Sequence, residues 1–110
     1  MSDIAGDEPY LTPTAAELAA LPTVYRDDLL KGQVVLISGG AGGIGLATAV
    51  LFGRLGATIV SCSRDGDKMA AFEGAMASLD IPCFAQALTI RDADQVAALM
   101  AAVWDRYGRL

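Results

Sequence analysis

The chain has 110 residues, is 54% hydrophobic and carries a net charge of −5, which is enough for one small domain and too apolar for a largely disordered chain. The acidic balance excludes a basic nucleic-acid footprint, and no apolar stretch reaches the roughly 18 residues of a membrane span. The acidic start, Met1 to Glu8, lacks the basic region and apolar core of a signal peptide, so the expected location is the cytoplasm, or the peroxisome if an address follows Leu110.

Residues 1–30 read as an N-terminal extension and residues 31–110 as the domain proper. Pro9, Pro13 and Pro22 punctuate the extension. Within it, Thr14-Ala15-Ala16-Glu17 has the spacing of a capping box and opens a short helix from Ala15 to about Leu21, stopped by Pro22. Its apolar residues are expected to pack on their own domain. A loop from Tyr25 to Gly32 leads into Val34-Val35-Leu36-Ile37, a β-branched apolar run suited to a strand covered on both faces. Ile44 to Leu55 then reads as a helix with Gly56 at its C-terminal cap. Ala57 to Cys62 is a second strand and Asp67 to Leu79 a second core helix, with Met69, Phe72, Met76 and Leu79 on one side. Cys83 to Leu88 is a third strand. Asp92-Ala93-Asp94-Gln95 opens a last helix with Val96, Leu99, Met100, Val103 and Tyr107 on one stripe, ended by Gly108. Strands alternating with helices through short connections imply an α/β fold, a doubly wound parallel sheet present as its N-terminal half, βαβαβα.

Two absences narrow the chemistry. There is no histidine, which removes His-based metal sites and Ser-His-Asp or Cys-His nucleophilic catalysis from this chain. The two cysteines, Cys62 and Cys83, form no CxxC pair and read as buried thiols rather than a disulfide.

The informative segment is Ser38-Gly39-Gly40-Ala41-Gly42-Gly43-Ile44-Gly45, lying between the first strand and the first core helix. Five glycines in eight residues cost backbone entropy that a plain turn does not require. Gly40, Gly42 and Gly45 satisfy GxGxxG, and Gly39, Gly43 and Gly45 satisfy GxxxGxG. A pyrophosphate sits on a helix N-terminus, where free N–H groups and the helix dipole favour negative charge. Glycine lets the backbone approach it closely. A Walker-type phosphate loop needs Gly-Lys-Ser/Thr, which does not occur.

The second strand ends in Ser61-Cys62-Ser63-Arg64. A carboxylate at position 63 would accept from the ribose hydroxyls and repel a 2′-phosphate. Ser63 removes that repulsion, and Arg64 offers a planar, permanently charged donor fork. The pattern favours NADP(H) over NAD(H). Asp65 and Asp67 are assigned to capping the following helix.

On these residues the chain resembles the short-chain dehydrogenase/reductase family. Ser38 to Gly45 is similar to that family's Thr-Gly-x-x-x-Gly-Ile-Gly motif, with Ser in place of Thr. Leu88-Thr89-Ile90-Arg91-Asp92 falls where the family has Asp-Val after the third strand. The resemblance implies that Thr89 and the Ile90 backbone face the adenine. Tyr107-Gly108-Arg109-Leu110 resembles the segment before the family's Asn-Asn-Ala-Gly strand. Tyr25 to Gln33, Ser63-Arg64 and Ile90-Arg91 are most similar to the NADPH-dependent enoyl- and dienoyl-CoA reductase branch, the peroxisomal trans-2-enoyl-CoA reductase type among them. The resemblance implies hydride transfer to or from a carbonyl, hydroxyl or enoyl group, and a homo-oligomeric intact enzyme.

The family's catalytic Asn, Ser and Tyr-x-x-x-Lys have no match in this chain. No lysine stands four residues after Tyr10, Tyr25 or Tyr107. The sheet's first strand also has an open edge, an association hazard if left bare. The expected account is therefore a fragment of a longer oxidoreductase that binds cofactor without turnover. The alternative is a non-catalytic nucleotide-binding or protein-interaction module, its open edge a partner surface.

Overall fold

A computed structural model describes residues 13–110 and places their elements in the order α1 (Ala15–Ala20), β1 (Val34–Ser38), α2 (Gly43–Arg54), β2 (Thr58–Ser63), α3 (Gly66–Ser78), β3 (Cys83–Ala87) and α4 (Ala93–Tyr107). The expected tail over residues 1–12, Pro9 included, lies outside the described residues. The strands form one parallel sheet in the order β1-β2-β3. Val34 pairs with Thr58 and Ser38 with Cys62 across the first ladder, and Ile59 with Cys83 and Ser63 with Ala87 across the second. This is the first half of a doubly wound, Rossmann-type sheet.

Strand alternation assigns each face. Val35, Ile37, Ile59, Cys83 and Ala85 point toward α2 and α3, where Ala49, Val50, Met69, Phe72 and Met76 close the core. Val34, Leu36, Val60, Cys62 and Phe84 point the other way, onto Leu99, Val103 and the stripe of α4. Ile59 and Met76 are fully buried, each contributing about 1.5–3 kcal/mol of apolar burial. Cys62 and Cys83 thus lie on opposite faces of the sheet, and both are free thiols.

Helix α1 carries the expected capping box. The Thr14 N–H donates to Glu17 Oε1 at 2.8 Å, and the Glu17 N–H donates to Thr14 Oγ1 at 3.1 Å. Its Ala15, Leu18 and Ala19 pack on the chain's own core, and Arg54 of α2 donates to the Leu18 carbonyl at 3.3 Å.

Element boundaries shift by one residue from the sequence expectation, each for a local reason. The Leu46 N–H reaches Gly42 O at 3.3 Å, so α2 starts at Gly43. The Ala57 N–H still bonds Phe52 O at 3.1 Å, so Ala57 belongs to the exit of α2 and the ladder begins at Thr58. Asp65 alone caps α3: its Oδ1 accepts from the N–H groups of Asp67 and Lys68 at 3.0 and 3.1 Å. Asp67, expected to share that role, sits exposed in the first turn.

The outer strand β3 has its Ala85 N–H satisfied by Glu73 Oε2 of α3 at 3.0 Å, which blunts a sheet edge at that point. The same carboxylate adds to an effect on Cys83. Burial first, then the Glu73 charge, pushes that thiol from 9.0 up to about 12. The folded chain therefore holds the neutral thiol more tightly than the unfolded chain does. The stability linked to this proton is fully present below about pH 9 and is lost as pH rises toward 12. Burial raises the Tyr107 phenol as well. Thermal unfolding followed from pH 8 to pH 11 is expected to show a falling Tm, and Cys83→Ala is expected to flatten that fall without abolishing it. An unchanged slope in Cys83→Ala would show that the thiol proton is not linked to folding.

Candidate functional site

The site starts from how the backbone leaves β1. Gly39 takes φ +74, a conformation that side chains rarely adopt, and its N–H closes the ladder onto Cys62 O at 2.9 Å. The chain then passes under Ser61, a fully buried residue of β2. The Ser61 hydroxyl accepts from the Gly40 N–H at 3.0 Å and donates to Ile37 O at 2.8 Å. One side chain thereby ties the loop to two strands with every polar atom satisfied. Beyond it, the first turn of α2 presses on the loop: a Cβ on Gly45 would collide with the Gly39 carbonyl oxygen and crowd Gly40 Cα.

The consequence is a helix start with unspent donors. Among the described helices, α1, α3 and α4 are capped by Thr14, Asp65 and Asp92. Helix α2 has Gly42 at its N-cap and no side-chain cap bond. The N–H groups of Gly43, Ile44 and Gly45 have no acceptor one turn back. The N–H groups of Gly39 and Gly40 are engaged within the protein, so these two residues supply shape rather than donors. The Ile44 side chain is 87% exposed.

Two cavities flank this loop at the carboxyl ends of the strands. The first, about 300 Å³, is lined by Ser38, Gly39, Ser63, Arg64, Thr89 and Ile90, with Cys62, Leu88 and Arg91. The second, about 470 Å³, lies toward α3 and is lined by Gly39, Ala41, Gly42, Ser63, Lys68 and Phe72 among others. They adjoin at Gly39 and Ser63. Of the expected site residues, Gly40, Gly43, Ile44 and Gly45 line neither cavity; they form the floor and the helix start between them.

Side chains around the first cavity are held by short-range bonds. Ser63 Oγ accepts from the Asp65 N–H at 3.2 Å. The Thr89 N–H donates to Gln95 Oε1 at 3.0 Å, and Thr89 Oγ1 accepts from the Arg91 N–H at 3.2 Å. Gln95 thus anchors Thr89 while its Nε2 donates to Asp92 Oδ2 at 3.1 Å. Ser61 and Gln95 support the site, and sequence reading assigned neither to it. A lone serine inside the apolar run Thr58-Ile59-Val60-Ser61-Cys62 was the available signal for the first.

The chain is similar in sequence and fold to known proteins. The family model described as short chain dehydrogenase matches residues 33–110. The chain is 32% identical to the 3-oxoacyl-(acyl-carrier-protein) reductase FabG of Thermotoga maritima over 81 residues, covering 74% of this chain and 33% of that protein. It is 29% identical to the peroxisomal 2,4-dienoyl-CoA reductase of Arabidopsis thaliana, covering 78% of this chain and 29% of that protein. Among solved structures, the citronellol catabolism dehydrogenase AtuB of Pseudomonas aeruginosa superimposes with a TM-score of 0.74 at 29% identity, over 78% of this chain and 36% of that one. A metagenomic short-chain oxidoreductase in complex with NADP gives a TM-score of 0.68 at 34% identity, over 73% of this chain and 36% of that one. The chain spans about a third of the length of the curated relatives it matches.

The loop geometry separates two glycines. Gly45→Ala forces backbone apart and is expected to destabilise the chain by about 2 kcal/mol or more, on the scale of overpacking. Gly42→Ala meets nothing within 4 Å in a φ −160 conformation open to any residue, so its expected cost is about 1 kcal/mol or less. Urea unfolding of both variants checks this. Equal losses would mean that helix α2 does not rest on the Gly39 carbonyl.

Proposed function

Because the chain belongs to the short chain dehydrogenase family, we propose that it holds a nicotinamide dinucleotide, NADP(H) in preference to NAD(H), as part of a hydride-transferring oxidoreductase. The observation that carries this reading is the glycine-floored start of α2, with no side chain on its free N–H groups, at the carboxyl end of a parallel sheet. That is where a doubly wound fold binds a dinucleotide. Residues 31–110 act as the binding unit.

The residues present fit the cofactor. Gly42 to Gly45 offer main-chain donors and an open approach to the diphosphate. Ser38, Gly39 and Ser63 give small surfaces for the ribose, and the walls formed by Leu88, Thr89 and Ile90 receive the adenine. Arg64 is exposed, and Ser63 at the strand end carries no charge to repel a 2′-phosphate. The bound cofactor supplies the hydride. The names of the relatives, reductases of 3-oxoacyl and 2,4-dienoyl-CoA groups, support a carbonyl or activated double bond as the partner of that hydride. The 110 residues contain no Tyr-x-x-x-Lys pair, so binding without turnover is the expected behaviour of this chain.

Titration of the chain with NADPH and NADH, read by nicotinamide fluorescence, tests the assignment. Arg64→Ala is expected to weaken NADPH binding by about 1.5–3 kcal/mol, the size of a charge-assisted hydrogen bond, and to leave NADH binding nearly unchanged. Equal effects on both cofactors would remove the NADP(H) preference. No binding of either would remove the dinucleotide reading itself.

A further inference from the structure

We infer that Arg91 is a second specificity-determining residue of this site, its guanidinium joining that of Arg64 around a phosphate monoester on the ribose. The inference rests on the dinucleotide reading above and adds a residue to it. Arg26 pairs with Asp28 at 3.2 Å, Arg54 donates to the Leu18 carbonyl, and Arg106 lies 4.0 Å from the centroid of the Phe84 ring. Among the described residues, Arg64, Arg91 and Arg109 have no carboxylate within 4.0 Å and no side-chain hydrogen bond to protein, and of these Arg64 and Arg91 share one cavity. These two uncompensated cations come from loops far apart in sequence, after β2 and after β3, yet they line the same cavity of about 300 Å³.

Placing two like charges on one small cavity costs energy in the free protein, and this chain has the acidic residues to neutralise them, with a net charge of −5. The carboxylates nearest in sequence are turned elsewhere. Asp65 and Asp92 spend their Oδ1 atoms on the starts of α3 and α4. The main chain at Arg91 is fixed by Thr89 Oγ1, and Thr89 is fixed in turn by Gln95. The guanidinium therefore leaves an anchored turn. A phosphate monoester carries a charge of about −1.5 to −2 at neutral pH, which one guanidinium leaves partly unbalanced and two balance. Small polar surfaces at Ser38, Gly39 and Ser63 and apolar ones at Leu88 and Ile90 fill the rest of the same cavity, a composition suited to a nucleoside.

The test uses two nucleotides that differ only in that phosphate, adenosine 2′,5′-bisphosphate and adenosine 5′-monophosphate, titrated calorimetrically into the 110-residue chain. Arg91 is exposed and its side chain makes no hydrogen bond or ion pair among the described residues, so its variants are expected to unfold at the wild-type temperature. Arg91→Ala is expected to weaken the bisphosphate about tenfold, as loss of one charge-assisted contact does, and the monophosphate less than about twofold on the same scale. Arg91→Lys is expected to recover part of the loss, because it restores charge without the planar fork. Equal weakening of both nucleotides, or of neither, overturns the role of Arg91 and leaves the dinucleotide reading standing. A wild-type chain that binds both nucleotides equally also overturns it. A wild-type chain that binds neither overturns the dinucleotide reading and this inference together.

Discussion

The contact between Gly45 and the Gly39 carbonyl sets the geometry of the whole loop. Helix α2 can begin directly after β1 only because its first turn rests on backbone without a methyl group between them. That contact orients α2 over the sheet face formed by Val35, Ile37 and Ile59. It also points the helix start toward the strand ends. Ser61 acts from beneath, holding Gly40 and Ile37 through one hydroxyl. Fold and site share these atoms, so the loop cannot be repacked without moving the helix that carries its donors.

The division of labour within the glycine run follows from this. Gly39, Gly40 and Gly45 answer to the protein: one adopts positive φ, one accepts the close approach of Ser61 and Phe72, and one meets the loop backbone. Gly42 and Gly43 have open space where a side chain would be, Gly43 at φ +57. A motif that looks uniform in sequence therefore contains residues held by packing and residues with open space above them. The electrostatics divide in the same way. The chain as a whole is acidic, while Arg64 and Arg91 on the first cavity and Lys68 on the second bring positive charge to the loop's surroundings.

Much of this was legible in the sequence. The runs Val34 to Ile37, Ala57 to Cys62 and Cys83 to Leu88 carry the apolar, β-branched or bounded character of buried strands, and each became one to within a residue at its ends. The Thr14 capping box and the left-handed Gly108 terminus are local signals, and both hold. Errors of one residue arose where two local bonds competed, as at Ala57, which stays with α2 through Phe52 O. Asp65 and Asp67 were equally good caps on paper, and only Asp65 precedes the first turn. Residues tied by long-range contact stayed hidden. Ser61 meets Gly40 across 21 positions, and Arg91 and Arg64 line one cavity because β2 and β3 are neighbours. Periodicity encodes neither.

The central claim is that the free main-chain N–H groups at the start of α2 grip a diphosphate. Backbone amide NMR spectra of the chain, recorded during titration with NADP+, test it most directly. The account predicts that the largest shifts fall on Gly43, Ile44 and Gly45, with smaller ones at Arg64 and Ile90. Saturable binding that leaves those three amides unmoved would contradict it.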